Sequence, residues 1–287
     1  MTAATIDTTA GDPRPVPTLR LFAAELRWVL RRPRTLIMFG LFALVPILIA
    51  IGVVVADGDG DGNGGRGLIG SIGGNGLVLP IAAMTISLTL LLPLAVAVAS
   101  ADAIAGEASH GTLRGLLLSP VGRLRLVGMK AFGVLVVAVV ATLVIAVVGV
   151  LAGLVVVGGA DGQLITLSGT TVGLGEAVGR VGLVALWTVG QLAAVGAVAL
   201  AVSSFTEHPL VVLASVLGGL ITFGVLSTIP ALDWLAPYLL TTGWSAGADA
   251  LRDPLPLDGL GSSSLVALVY LVVGAAVLIT RMSRRDA

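Results

Sequence analysis

The sequence predicts an all-α integral membrane protein with six transmembrane helices. Hydrophobic residues make up 56% of the chain and charged residues only 11%, whereas soluble domains average about 25% charged residues. Six segments are long and apolar enough to cross a bilayer core, which needs about 20 helical residues. Cys is absent, which excludes disulfides, thiol catalysis and thiolate metal sites.

The predicted spans occupy most of the chain, and no polar interval between them is long enough to fold as a separate domain. We therefore expect a disordered tail at residues 1–17 and a single transmembrane domain at residues 18–287. Pro46, Pro80 and Pro93 predict kinks in the first two spans. The predicted spans are residues 35–56, 77–101, 129–157, 177–203, 210–229 and 263–280.

Residues 18–32, before the first span, have the pattern of an amphipathic helix. Leu19, Phe22 and Leu26 recur at helical spacing, while Arg20 and Arg27 fall on another face. Such a helix lies along the membrane surface with its Arg groups near anionic headgroups. It serves either as a membrane anchor or as a contact for a partner.

The distribution of basic residues predicts the orientation of the chain. All Lys and Arg residues except Arg66, Arg180 and Arg252 fall in segments that share one side of the membrane. Because cytoplasmic loops carry the excess of Lys and Arg, both termini are expected in the cytoplasm. We expect a multi-pass protein of the bacterial inner (plasma) membrane.

The external segments offer few binding signals. The alternating Asp and Gly from Asp57 resemble a calcium loop but lack its terminal Glu, so a solvated linker is the better interpretation. The Gly-rich residues 158–175 predict a short loop. Residues 230–262 contain Trp234, Tyr238 and Trp244, which favours an interfacial or re-entrant helical element in the headgroup belt.

Residues 102–130 form a polar interval between the second and third spans. The helix from the second span should continue past Asp102 and Glu107 and end near Gly111. Thr112 can then cap a short helix, residues 113–118, that ends before Pro120. This helix is too short to be stable alone and too apolar to face water, so we expect it to pack into a partner.

The interval resembles the first cytoplasmic loop of ATP-binding-cassette (ABC) type 2 permeases, a family of drug, antibiotic and lipid transport subunits. The family pattern is a Glu, a Gly-Thr-Leu, a pair of leucines, a Pro-Val and an Arg. The matching residues here are Glu107, Gly111, Thr112, Leu113, Leu116, Leu117, Pro120, Val121 and Arg123.

The resemblance implies how the chain works. Residues 113–118 would be a coupling helix seated in a groove of an ABC ATPase subunit, and two permeases (two copies or a copy and a paralogue) would assemble with two ATPases. ATP and Mg would be bound by the ATPase, and no cofactor or metal by this chain. Export is implied in the same way, whereas the apolar spans and the scarcity of charge within them favour a hydrophobic or amphiphilic substrate.

The sequence itself indicates that the energy for transport comes from another protein chain. The chain has no G-x-x-x-x-G-K-[ST] phosphate-binding loop around Lys130, its single lysine. No catalytic residues are expected, and hydrolysis must occur in another chain. The alternative for the polar interval is an ordinary loop, in which Glu107 pairs with Arg114 or with an Arg near the headgroups.

Polar residues inside the spans are the candidates for a substrate path, because such groups are costly in lipid. They are Thr85, Ser87, Thr89 and Gln191. Gln191 serves equally well as a hydrogen-bonding contact between helices. Glu176 and Arg180 are expected to form a surface pair of small energetic value, and Gly149 with Gly153 to permit a close helix approach.

Three other functions are found among membrane proteins with about six spans. An intramembrane hydrolase would need a His inside the bilayer, and no predicted span contains one. An ion-coupled secondary transporter usually keeps ionisable groups near mid-membrane, and these spans have none there. A non-transporting scaffold would tolerate such an apolar interior. The balanced formal charge gives no indication of nucleic-acid binding.

Overall fold

The computed structural model describes residues 26–27, 31–58, 75–109, 123–157 and 164–284. In these residues six helices are long and apolar enough to cross a membrane, which confirms the predicted all-α membrane fold. The predicted tail at residues 1–17, nearly all of the amphipathic helix and the coupling helix at residues 113–118 lie outside the described residues.

The helices agree closely with the predicted spans in position, except in the second span. Their bounds are α1 Pro33–Gly58, α2 Leu79–Leu88, α3 Leu91–Ala101, α4 Arg123–Ala152, α5 Leu174–Ser203, α6 Pro209–Leu226 and α7 Asp258–Arg284.

The second span was predicted as one kinked helix over residues 77–101, and the structure breaks it into α2 and α3. The break lies at Leu90, whose φ of −149° is not helical. Pro93 follows in the first turn of α3. Because Pro93 has no N–H, it cannot bond the carbonyl of Thr89, and its ring crowds that carbonyl. A 3₁₀ turn, Gly76–Val78, precedes α2.

α3 does not end at Ala101, because the chain continues as a π-helical turn, Asp102–Gly106, and a last helical turn, Glu107–Ser109. The prediction that this helix runs past Asp102 and Glu107 is therefore confirmed. α4 likewise ends in a π-helical turn, Gly153–Val157. Single π-helical turns inside longer helices are often found at functional sites.

α5 is the central helix, and it packs against α3, α4 and α7. Its contact with α7 is close at Gly274, where a Cβ would lie 2.8 Å from the backbone carbon of Ala197. By contrast, α6 buries only Val212 and Val216. The tight turn between α5 and α6 has the predicted position, with Pro209 opening α6.

The segment between α4 and α5 contains more secondary structure than predicted. Residues 158–175, expected to be a loop, include a short antiparallel hairpin of β1 Leu164–Ile165 and β2 Thr171–Val172. Gly169 in its turn has a φ of +82°, a conformation that favours glycine. All-α is thus the dominant architecture, with this hairpin added.

The segment before α7 forms three 3₁₀ turns, Pro230–Leu232, Ala236–Tyr238 and Thr242–Leu251, in agreement with the predicted helical element. Trp234 and Tyr238 are exposed, as a headgroup belt requires. Trp244 was predicted in that belt, but it is buried. Thr242–Leu251 packs against α2, α5 and α7, and this contact removes the indole from the surface.

Candidate functional site

The ends of the helices near Arg32, Glu107 and Arg281 meet at one end of the bundle, which we call the basic end. Three contacts establish it: Asp102 with Arg34, Arg123 with the carbonyl of Ser283, and Arg281 over the ring of Phe205. Ser109 and Arg123, the described residues on either side of segment 110–122, lie here. The candidate coupling site is therefore built at this end.

An ion pair between Glu107 and Lys130 joins the two helix ends that flank segment 110–122. Lys130 Nζ donates to Glu107 Oε1 at 2.6 Å, and their side chains are 6% and 14% exposed. Lys130 lies in the second turn of α4, on the same face as Val134 and Val137, which are also buried. A buried ammonium requires such a partner.

This pair was not predicted from the sequence. The helical position of Lys130 turns its side chain toward the end of the second span, where Glu107 lies. Arg114, weighed as a partner for Glu107, lies outside the described residues. The sequence of α4 carried no signal for this burial, because the helix is apolar on nearly every side and only the structure shows which face is buried.

Asp102 links the first span to the same helix end. Its carboxylate lies 2.8 Å from Arg34 and 3.5 Å from Arg32, at the start of α1. The π-helical turn that contains Asp102 is also tied to α5, because the backbone N–H of Ala105 donates to Ser203 Oγ at 3.0 Å. The end of the second span is therefore attached to α1, α4 and α5.

Arg123, a predicted coupling residue, is exposed and donates through Nη1 to the carbonyl of Ser283 at 2.7 Å. It ties the start of α4 to the end of α7. The other predicted coupling residues lie outside the described residues: Gly111, Thr112, Leu113, Leu116, Leu117, Pro120 and Val121.

The predicted substrate-path residues are separated into two kinds. Thr85 and Thr89 donate to backbone carbonyls of their own helix, at Ile81 and Ile86. Ser87 and Gln191 are buried, and among the described residues neither the Ser87 hydroxyl nor the Gln191 amide has a hydrogen-bond partner. Thr188, one turn before Gln191, shares this condition.

Gln191 also lines a cavity of about 450 Å³ between α5 and α7. Its amide atoms are themselves enclosed by protein, so the helix backbone and side-chain stem of Gln191 form the wall. Gly247 lies against both Thr85 and Trp187, and Trp187 is one turn before Gln191.

Arg180 was predicted in a surface pair with Glu176, and this prediction is wrong about its environment. The Arg180 side chain is only 6% exposed. Besides Glu176, it donates to the carbonyls of Ala250 and Arg252 and to the carboxylate of Asp253. Arg180 thus fastens the segment before α7 to α5, at the end of the bundle away from Glu107. In the described part of the chain no three His, Cys, Asp or Glu residues group as metal ligands.

Comparison with known proteins agrees with this architecture. The family described as ABC-2 family transporter protein matches residues 21–196, which is more than half of the chain. The match includes the basic end of the first three spans and most of α5. No curated protein matches the chain.

Proposed function

Because the chain belongs to the ABC-2 transporter family, whose members are membrane transport subunits, we propose that a separate ATPase drives it through segment 110–122. The proposed transporter contains two copies of that ATPase, which bind ATP and Mg, and two permeases. The proposed cargo is hydrophobic or amphiphilic, and the proposed direction is export.

The observation that carries this proposal is the Glu107–Lys130 pair. A partner seated on segment 110–122 would move both of its ends. Since a buried ion pair joins those ends, the second and third spans would move together rather than separately. The contacts of Asp102 with Arg34 and of Ala105 with Ser203 would pass the same motion to α1 and α5.

The basic end is proposed as the cytoplasmic end. Arg31, Arg34, Arg123, Arg125 and Arg284 are exposed there, and the positive-inside bias favours this orientation. An ATPase that uses cytoplasmic ATP would then face segment 110–122. Labelling of a Cys introduced at Ser109 from the inner side of sealed vesicles supports this orientation, and labelling from the outer side contradicts it.

The proposed cargo path follows from the interior of the bundle. The described parts of the spans bury mostly apolar side chains, and Ser87, Thr188 and Gln191 are neutral polar residues buried among them. Of the other two proposed path residues, Thr85 is partly buried and Thr89 is exposed. Such a lining suits an amphiphile better than a strongly charged solute. Ser87 and Gln191, which have no hydrogen-bond partner in the part of the chain that the structure describes, would gain one from the polar part of a cargo.

Reconstitution with an ABC ATPase, sought first in the reading frames adjacent to this one, tests the proposal. We expect the two proteins to co-purify and cargo to stimulate ATP hydrolysis in liposomes. Glu107→Gln should remove most of that stimulation, whereas Arg284→Gln, at an exposed position of the same end, should keep it. Transport by the purified chain without any ATPase would overturn the proposal and favour a secondary transporter.

A further inference from the structure

A second cavity, of about 470 Å³, opens at the basic end between α1, α3 and α4. Its inner walls are apolar and include Met38 and Phe42 from α1, Ala95 and Ala99 from α3, and Val134 from α4. This volume lies in the range of pockets that hold small amphiphilic molecules. It is separate from the cavity beside Gln191.

Small side chains on the facing helices create this cavity. On α3 and the turn that follows, Ala95, Ala99 and Ala103 repeat every four residues and so form one face of the helix. Gly133 lies opposite on α4. Larger residues at these positions would fill the space between helices, as the interiors of proteins normally do.

Charged side chains surround the mouth of the cavity. We call Arg32, Arg34, Asp102 and Lys130 the rim. Asp102 interacts with two arginines, Arg32 and Arg34, while Lys130 is bonded to Glu107. Counted over the described residues and with Glu107 included, the mouth has three cations and two carboxylates, and Arg34 is 58% exposed. The surplus positive charge at the mouth favours an anionic ligand group.

The depth of the cavity matches one leaflet of a bilayer. On α1 the lining runs from Arg34 to Phe42, and on α3 from Asp102 inward to Leu91. At 1.5 Å per residue these paths measure roughly 12 and 16 Å. Half of a hydrocarbon core of about 30 Å is about 15 Å. A headgroup at the rim would therefore place an acyl chain along the apolar walls.

The cavity also opens sideways, where lipid lies. Leu41 and Leu91 border it and are 58% and 40% exposed on the surface of the chain. Because both belong to membrane-spanning segments, the solvent they meet is the acyl region of the bilayer. A lipid can thus enter without leaving its leaflet.

We propose that this cavity is a binding site for an anionic phospholipid, with its phosphate at Arg32 and Arg34 and an acyl chain between α1, α3 and α4. Arginines near a membrane surface attract anionic headgroups, and basic pockets between spans select them. The site is distinct from the proposed cargo path and requires no ATPase. Its occupant would brace the same helix ends that the Asp102 contacts join.

The test uses the full chain purified in detergent, delipidated and titrated with phosphatidylglycerol or phosphatidylcholine, with native mass spectrometry of the bound lipid. We expect a phosphatidylglycerol complex at low lipid concentration and a clearly weaker phosphatidylcholine complex. Arg34→Gln should raise the Kd for phosphatidylglycerol about five-fold, the effect of roughly 1 kcal/mol for one arginine near a headgroup. Arg284→Gln, at the same end but away from the cavity, should leave the Kd unchanged.

Two further variants separate this site from general attraction to the basic end. Ala99→Phe fills the apolar wall without changing charge and should abolish the retained phosphatidylglycerol. Asp102→Asn removes the carboxylate that competes for Arg32 and Arg34, so it should lower the Kd. Elution volume and helical circular dichroism report whether each variant is folded. If Ala99→Phe does not fold, the Kd of Arg34→Gln alone decides whether the cavity binds the lipid.

Equal binding of the two lipids overturns the proposal, and so does an unchanged Kd in Arg34→Gln. Full retention of phosphatidylglycerol by folded Ala99→Phe also overturns it, because the acyl chain would then lie elsewhere. If free glycerol phosphate displaces the bound phosphatidylglycerol and folded Ala99→Phe still retains that lipid, the rim binds a soluble anion instead.

Discussion

Gly76 and Gly153 lie backbone against backbone, where the turn before α2 passes the π-helical turn that ends α4. A Cβ on either residue would overlap the carbonyl oxygen of the other. One turn earlier, a Cβ on Gly149 would lie 2.7 Å from Cα of Pro80. This contact confirms the close approach that Gly149 and Gly153 predict, and it identifies the residues they approach.

We therefore expect Gly153→Ala and Gly149→Ala each to destabilise the bundle by about 1–3 kcal/mol, the usual effect of overpacking. Gly128→Ala is the matched control, since it lies in the same helix with no atom within 4 Å of its Cβ position. Thermal unfolding in detergent measures the difference. Equal melting temperatures for Gly153→Ala and Gly128→Ala would show that the two backbones are further apart.

Removing one partner of the Glu107–Lys130 pair should destabilise the protein more than exchanging the two charges. Glu107→Gln leaves the largely buried Lys130 without its carboxylate, and removing one partner of a buried pair typically costs about 3–5 kcal/mol. The exchanged pair, Glu107→Lys with Lys130→Glu, should recover part of that loss. Melting temperatures of the single and exchanged variants check this. If the exchanged protein is less stable than both single variants, the two side chains do not act as a pair.

Arg180 should hold the segment before α7 against the bundle. Arg180→Met removes donors to Glu176, Asp253 and two backbone carbonyls, and we expect a loss of about 3 kcal/mol. Amide hydrogen exchange near Asp253 should also become faster. Arg252→Gln is the control, because the Arg252 side chain is 62% exposed and its pair with Asp249 is worth less than about 1 kcal/mol. Equal exchange rates in the two variants would contradict the role of Arg180.

We expect Gln191 to lower the free energy of unfolding of the protein while it contributes to cargo transport. Its amide is buried without a hydrogen-bond partner among the described residues, so Gln191→Leu should raise stability by about 1–3 kcal/mol. Thr142→Val is a suitable control, since the buried Thr142 hydroxyl already donates to the carbonyl of Ala138. If Gln191 lies on the cargo path, the stabilised variant should transport less. A Gln191→Leu variant that is less stable than wild type would indicate an unseen partner.

Hydropathy by itself determined the class of the protein, the number of spans and their approximate positions. The reason is physical, because a bilayer admits only long apolar helices or closed barrels. A segment that crosses the lipid must therefore be a long run of apolar residues, which is visible in the sequence. The polar interval after the second span and its resemblance to ABC-2 permeases were also visible in the sequence, and the family match includes that interval. The sequence also predicted the turn before Pro209, because polar residues interrupt an apolar run there.

Only the tertiary structure decided which faces of the helices meet. Spans such as α4 are apolar on nearly every side, so their sequence contains little information about the direction in which they pack. The burial of Lys130 with Glu107 depends on that direction, as does the enclosure of Arg180 by backbone carbonyls 70 and 72 residues away. The break at Leu90 and the burial of Trp244 likewise depend on neighbouring segments that no local pattern specifies.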